Sequence, residues 1–133
     1  MGSRDIEEGK RLDIQFEKRG GLIPVVVQDV KTKDILMLGY ANKDAIQMTF
    51  DKKLATFWST SRNELWTKGE TSGDYLAIKD MLIDCDQDAI IYLVEPQGQG
   101  SCHTKKTDGS FRKSCFYRSI DLNSLELKKE DEQ

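Results

Sequence analysis

The sequence has no apolar run approaching the roughly 20 residues that cross a bilayer, so no membrane-spanning helix is expected from it. No apolar signal-peptide core follows Met1, and a cytoplasmic protein is the expectation. No Cys-x-x-Cys pair occurs, and the cysteines number three. The missing pair argues against a zinc ribbon or a thioredoxin-type redox site, and the odd count argues against a disulfide framework. Any chemical role for these thiols is then as thiolates, above all on a metal. There is no Walker-type lysine motif and no G-x-G-x-x-G, so the familiar phosphate loops are not in use. A basic excess is also missing. The formal charge of −3 argues against a general nucleic-acid binder, although a few local cations suffice for a small anionic ligand.

What is present describes one soluble globular domain over residues 1–133, with 38% hydrophobic and 32% charged residues. Residues 1–19 read as a short helix or an arm, ended by Gly20-Gly21. Residues 22–30 and 35–38 read as a hairpin. Asn42 is a good N-cap, and Ala45, Ile46, Thr49 and Phe50 share one helical face up to about residue 52. Residues 54–59 are a further strand. Residues 59–74 lack periodicity and read as a long loop, a length that is often functional. Residues 75–86 and 89–94 are two more strands, the second apolar on both faces and so central. Residues 105–113 read as a polar loop, 115–122 as a last strand, and 123–133 as a charged tail. The fold class is α+β, a mostly antiparallel sheet with one or two packed helices.

The chemistry concentrates in Asp84-Cys85-Asp86-Gln87-Asp88. In a continuing strand, Asp84, Asp86 and Asp88 share one face and Cys85 points to the other. Three carboxylates on one face repel each other and call for a cation. Oxygen ligands suit Mg²⁺, and thiolates suit Zn²⁺. The bland alternative is an acidic turn with Cys85 as a small buried hydrophobe. Cys102 and Cys115 tilt the choice, because with Cys85 they supply the three protein ligands typical of catalytic zinc. His103, the single histidine, adjoins Cys102 as a proton carrier or a fourth ligand. Because Cys85 faces away from the acids, a site shared across a dimer interface closes the set more easily than one subunit does. The segment 58–74 offers Ser59, Ser61, Arg62, Trp66, Lys68, Gly69, Glu70 and Ser72, the parts of a site for a phosphorylated ligand. Glu70 could bond ribose hydroxyls or take part in acid–base work. The alternative is a solvated loop anchored by its two tryptophans.

Together these residues resemble the phosphoribosyl-AMP cyclohydrolase family of histidine biosynthesis. The matching pieces are Val27-Gln28-Asp29, Leu36-Met37-Leu38-Gly39-Tyr40, Trp58-Ser59-x-Ser61-Arg62, Leu65-Trp66-x-Lys68-Gly69-Glu70-x-Ser72-Gly73, Asp84-Cys85-Asp86-x-Asp88-Ala89, Cys102-His103-Thr104 and Ser114-Cys115-Phe116. The similarity spans roughly residues 12–118. It implies an intertwined homodimer with zinc between subunits, Cys85 from one chain and Cys102 and Cys115 from the other, and Mg²⁺ at Asp84, Asp86 and Asp88. The implied reaction is hydrolytic opening of the N1–C6 bond of 1-(5-phosphoribosyl)-AMP by a zinc-activated water. The chain departs from the resemblance at 105–113, which reads as an insertion expected to bulge outward, and at Asp74. Some relatives carry a fused pyrophosphohydrolase domain; the expectation here is the single activity. Rival readings are a zinc base deaminase, whose H-x-E and P-C-x-x-C signatures are absent, a structural-zinc module and a nucleotide-binding module without chemistry.

Overall fold

A computed structural model describes residues 3–129. Helix α1 (Ser3–Glu8) is followed by an extended arm and a 3-10 turn at Phe16–Arg19. The arm is sewn to the body by Gln87. Its Oε1 accepts from Asp13 N at 2.8 Å, and its Nε2 donates to Ile6 O at 3.0 Å. Gln15 N donates to Gln87 O at 2.8 Å.

Strands β1 (Ile23–Asp29) and β2 (Ile35–Ala41) form the expected hairpin. Helix α2 (Lys43–Lys52) starts where Asn42 predicts, with Asn42 Oδ1 accepting from Ala45 N at 2.8 Å. Ala45, Ile46 and Thr49 face the core. Strands β3 (Thr56–Ser59) and β4 (Glu64–Thr67) pair antiparallel. The expected long loop over 59–74 is therefore two shorter connections. A four-residue turn suffices because Asn63 takes the left-handed conformation, φ 55°, and Trp66 then packs its ring against Phe57 at 5.4 Å between centroids.

Strands β5 (Leu76–Ile83) and β6 (Ile90–Pro96) complete the main sheet, in the order β2-β1-β6-β5. Strand β6 is central, as its two-sided apolarity predicts, and pairs parallel with β1 while the other neighbours are antiparallel. Ile23, Val25, Val27, Leu36, Phe57, Tyr92 and Val94 build the core. The fold is α+β, as the sequence indicates.

The last expected strand shortens to β7 (Arg118–Ile120). It pairs with β8 (Leu127–Lys129), so part of the charged tail expected from 123 onward is strand. The end of that tail lies outside the described residues. Among the described residues no helix is long and apolar enough to cross a membrane.

Candidate metal centre

Strand β5 ends at Ile83, so the acidic motif does not continue it. Residues 84–88 form a turn instead, which corrects the expectation of carboxylates aligned by a strand pleat. The cause is local. Asp84 Oδ1 accepts from the backbone N–H groups of Asp88 (2.9 Å) and Ala89 (3.1 Å), and Gln87 takes φ 55°. A side chain that captures the amides four and five residues on bends the chain back. The turn achieves what the pleat was expected to achieve. One oxygen from each of Asp84, Asp86 and Asp88 lies within 4.8 Å of the others.

Such crowding shifts protonation. Partial burial, then the neighbouring carboxylates, raise the Asp84 pKa despite its two amide donors. Burial also works to raise that of Asp88, but Lys18 and the other two acids outweigh it and hold Asp88 at about 2. Lys18 Nζ lies 2.6 Å from Asp86 Oδ2 and 3.1 Å from Asp88 Oδ2. Arg19 Nη2 is 3.1 Å from Asp88 Oδ2. The 3-10 turn of the arm thus delivers two cations to the oxygen cluster. Neither had been singled out from the sequence, because no local pattern links residues 18 and 86.

The sulfurs fall into two places. Cys102 and Cys115 are in side-chain contact. Their segments pair, with Ser101 N donating to Lys113 O at 3.0 Å and Cys102 N to Arg112 O at 3.2 Å. Cys115 N in turn donates to Leu36 O at 2.8 Å, tying the pair to β2. Gly100 permits this approach, because a Cβ there would meet Arg112 O. Burial works to raise the Cys102 pKa, but the Thr104 hydroxyl at 2.9 Å, the Thr104 amide, Cys115 and the Lys68 charge bring it below the usual thiol value. Burial and the Cys102 sulfur push Cys115 up to about 11. Two adjacent cysteines, as thiolates, are a donor set that suits a soft divalent ion. Cys85 is exposed at the acidic turn, and the three sulfurs do not converge within one chain among the described residues.

A cleft of about 190 Å³ adjoins Cys102, lined by His103, Trp66, Lys68, Gly69, Ser72 and others. Gly69 is needed there, with φ 99° and a Cβ position only 2.5 Å from Tyr75 N. Asp74, given no role from the sequence, also lines it and accepts from Gln99 N at 2.8 Å. Ser59, Ser61 and Arg62 line a neighbouring cleft of about 310 Å³, and Trp66 belongs to both. Glu70 lines neither; its Oε1 accepts from Thr67 N at 3.0 Å and holds its own loop. A larger cleft, about 610 Å³, between the arm and α2 has no thiol or imidazole in its lining.

Comparison with known proteins agrees with this residue pattern. The family description phosphoribosyl-AMP cyclohydrolase matches residues 37–117. A protein of that name from Cenarchaeum symbiosum is 47% identical over 112 residues, covering 84% of this chain and 97% of the relative. One from Archaeoglobus fulgidus is 49% identical over 110 residues, covering 83% and 94%. A histidine biosynthesis bifunctional protein from Pasteurella multocida is 45% identical over 107 residues, which cover 80% of this chain and 50% of that relative. With the match taking in the acidic turn, both paired cysteines and the cleft beside them, the chain belongs to the phosphoribosyl-AMP cyclohydrolase family.

Proposed function

We propose that this chain catalyses hydrolytic opening of the N1–C6 bond of 1-(5-phosphoribosyl)-AMP, with zinc held by Cys85, Cys102 and Cys115 and Mg²⁺ by Asp84, Asp86 and Asp88. The observation that carries this reading is the contact of Cys102 with Cys115 at the wall of a cleft that also contains His103, Lys68 and Trp66. Two adjoining cysteines fit zinc as thiolates, and the oxygen cluster fits a hard cation. Zinc, when bound, lowers the pKa of a bound water to about 7 and so supplies a nucleophile near neutral pH.

The chain's own residues do the rest. Trp66 and Lys68 line the cleft, Lys68 with its Nζ 5.6 Å from the Trp66 ring centroid, and offer a base-stacking surface and a charge for phosphate. Gly69 and Ser72 shape the loop around them, while Glu70 holds that loop closed. Ser59, Ser61 and Arg62 line the adjoining cleft and offer hydroxyls and a cation to the substrate's second phosphoribosyl arm. His103 is exposed at the cleft and takes or gives the proton that opening of the ring requires.

The separation of Cys85 from the other two sulfurs supports a homodimer in which the zinc site is shared between subunits. Exposed Leu38 and Tyr40 on β2, and Phe116 next to Cys115, support the same reading, because apolar surface of this kind suits a partner chain. Three free cysteines fit the reducing cytoplasm. The test is a spectrophotometric assay with phosphoribosyl-AMP before and after chelation. Activity lost on chelation and restored by zinc plus Mg²⁺ is expected. Full activity in protein shown to be free of zinc would sink the proposal.

A further inference from the structure

The 105–113 segment departs from the family resemblance, and it does not simply bulge away as the sequence reading expected. Its tip is exposed, closed by Lys106 N to Ser110 O (2.8 Å) and by Asp108 Oδ1, which accepts from Ser110 N and Oγ (2.9 and 2.6 Å). Lys105 and Phe111 then form an antiparallel bridge that turns the chain inward. Arg112 is buried, its Nη1 donating to Lys105 O at 2.7 Å and its guanidinium 4.0 Å from the Tyr117 ring centroid. Arg112 N also donates to Thr104 O at 3.0 Å. Phe111 is thus held by neighbours on both sides, and those neighbours are bonded to the segment that carries Cys102 and Thr104. It lines the same cleft as Cys102, His103 and Trp66.

We propose that Phe111 is a substrate-binding residue of this chain, its ring forming a wall for the purine base beside Cys102 and His103. The proposal rests on the reading of that cleft as the substrate site. At about 190 Å³ the cleft is smaller than the roughly 300–1,000 Å³ of a complete ligand site, so it holds part of the substrate. A base is the part that fits an aromatic lining, because its π-face stacks on rings, while the phosphates stay among cations. Phe111 brings such a cation with it. Lys105 Nζ lies 5.1 Å from the Phe111 ring centroid.

The test compares Phe111→Leu and Phe111→Tyr with the parent chain in steady-state assays on phosphoribosyl-AMP, alongside zinc content and melting temperature. Leucine keeps apolar bulk and removes the ring; tyrosine keeps the ring. For Phe111→Leu, KM should rise about tenfold, equivalent to ~1.4 kcal/mol, with kcat changing less than about twofold. Phe111→Tyr should behave as the parent, and zinc content and melting temperature should not move in either variant. An unchanged KM in Phe111→Leu overturns the proposal. So does an equal loss in both variants with falling zinc content, which marks a structural role. The assay also includes Cys102→Ala, whose retained activity would instead remove the cleft's assignment as the substrate site.

Discussion

Lys18 Nζ rests 2.6 Å from Asp86 Oδ2, and a single 3-10 turn of the arm places it there. The ammonium occupies the oxygen face that a hard cation would use. Asp86 first, then Asp88, raise the Lys18 pKa, so it stays charged through the physiological range. A divalent ion at Asp84, Asp86 and Asp88 therefore competes with an internal cation. Lys18→Met is expected to tighten Mn²⁺ binding, measured by titration calorimetry, by about threefold to tenfold. Amide exchange in residues 16–19 of the parent chain should quicken when Mn²⁺ binds. Weaker Mn²⁺ binding in Lys18→Met would mean that the lysine supports the site.

The contrast between the two ligand faces shows what a sequence exposes. The pattern of Asp84, Asp86 and Asp88 is legible because the residues are close in the chain, but the cause of their convergence is not: it is a turn made by Asp84 accepting two amides, not a strand. Strand β6 and helix α2 were legible because apolar periodicity and the Asn42 cap act locally. Strand β4 was hidden, because its four residues carry too short an alternation to register beside Ser- and Gly-rich flanks. The fastening of the arm through Gln87 was invisible, since it joins residues 81 and 74 positions apart. The same applies to Phe111, whose inward turn depends on Arg112 being buried under its neighbours.

Lys113 closes a second long-range contact and should matter to stability. Its Nζ reaches Asp29 Oδ2 (3.0 Å), Asp34 Oδ2 (3.0 Å) and Thr32 Oγ1 (2.9 Å), anchoring the segment that ends in Cys115 to the β1–β2 turn. Burial works to raise the Asp29 pKa, but Lys113 and the amides of Thr32 and Lys31 outweigh it and lower it to about 2. Lys113→Met leaves that buried carboxylate with its amide donors alone, and should destabilise the fold by about 1–3 kcal/mol. Because the folded pKa is depressed, the contribution is complete above the unfolded value near 4 and is lost as pH falls toward 2. The gap between parent and variant in denaturant unfolding should therefore narrow below about pH 4. A gap that stays constant down to pH 2 would refute the ion-pair account.

Asp86 separates the two proposed metals. Its side chain belongs to the oxygen cluster and to none of the cysteine contacts. Asp86→Asn should lower activity by more than about tenfold while zinc content stays near that of the parent. Metal analysis by plasma emission settles the point, and zinc lost together with activity would contradict the division into an oxygen face and a sulfur face.

The position of Cys85 yields the sharpest test of the shared site. Cys102 and Cys115 touch within one chain, whereas Cys85 sits at the acidic turn, outside any cluster with them. If one subunit supplies Cys85 and its partner the other two sulfurs, a dimer has two zinc sites, each built from both chains. Cys85→Ala and Cys102→Ala homodimers then have no intact site and should be inactive. In a mixed dimer, one interface combines both substitutions while the other keeps all three sulfurs. Each heterodimer should thus hold one working site. After mixing equal amounts and allowing full exchange, half of the dimers are mixed. The preparation should recover about a quarter of the parent activity per total site. Subunit exchange is followed by native mass spectrometry, and an inactive mixture with exchange complete would place all three ligands in one chain or dismiss the zinc set.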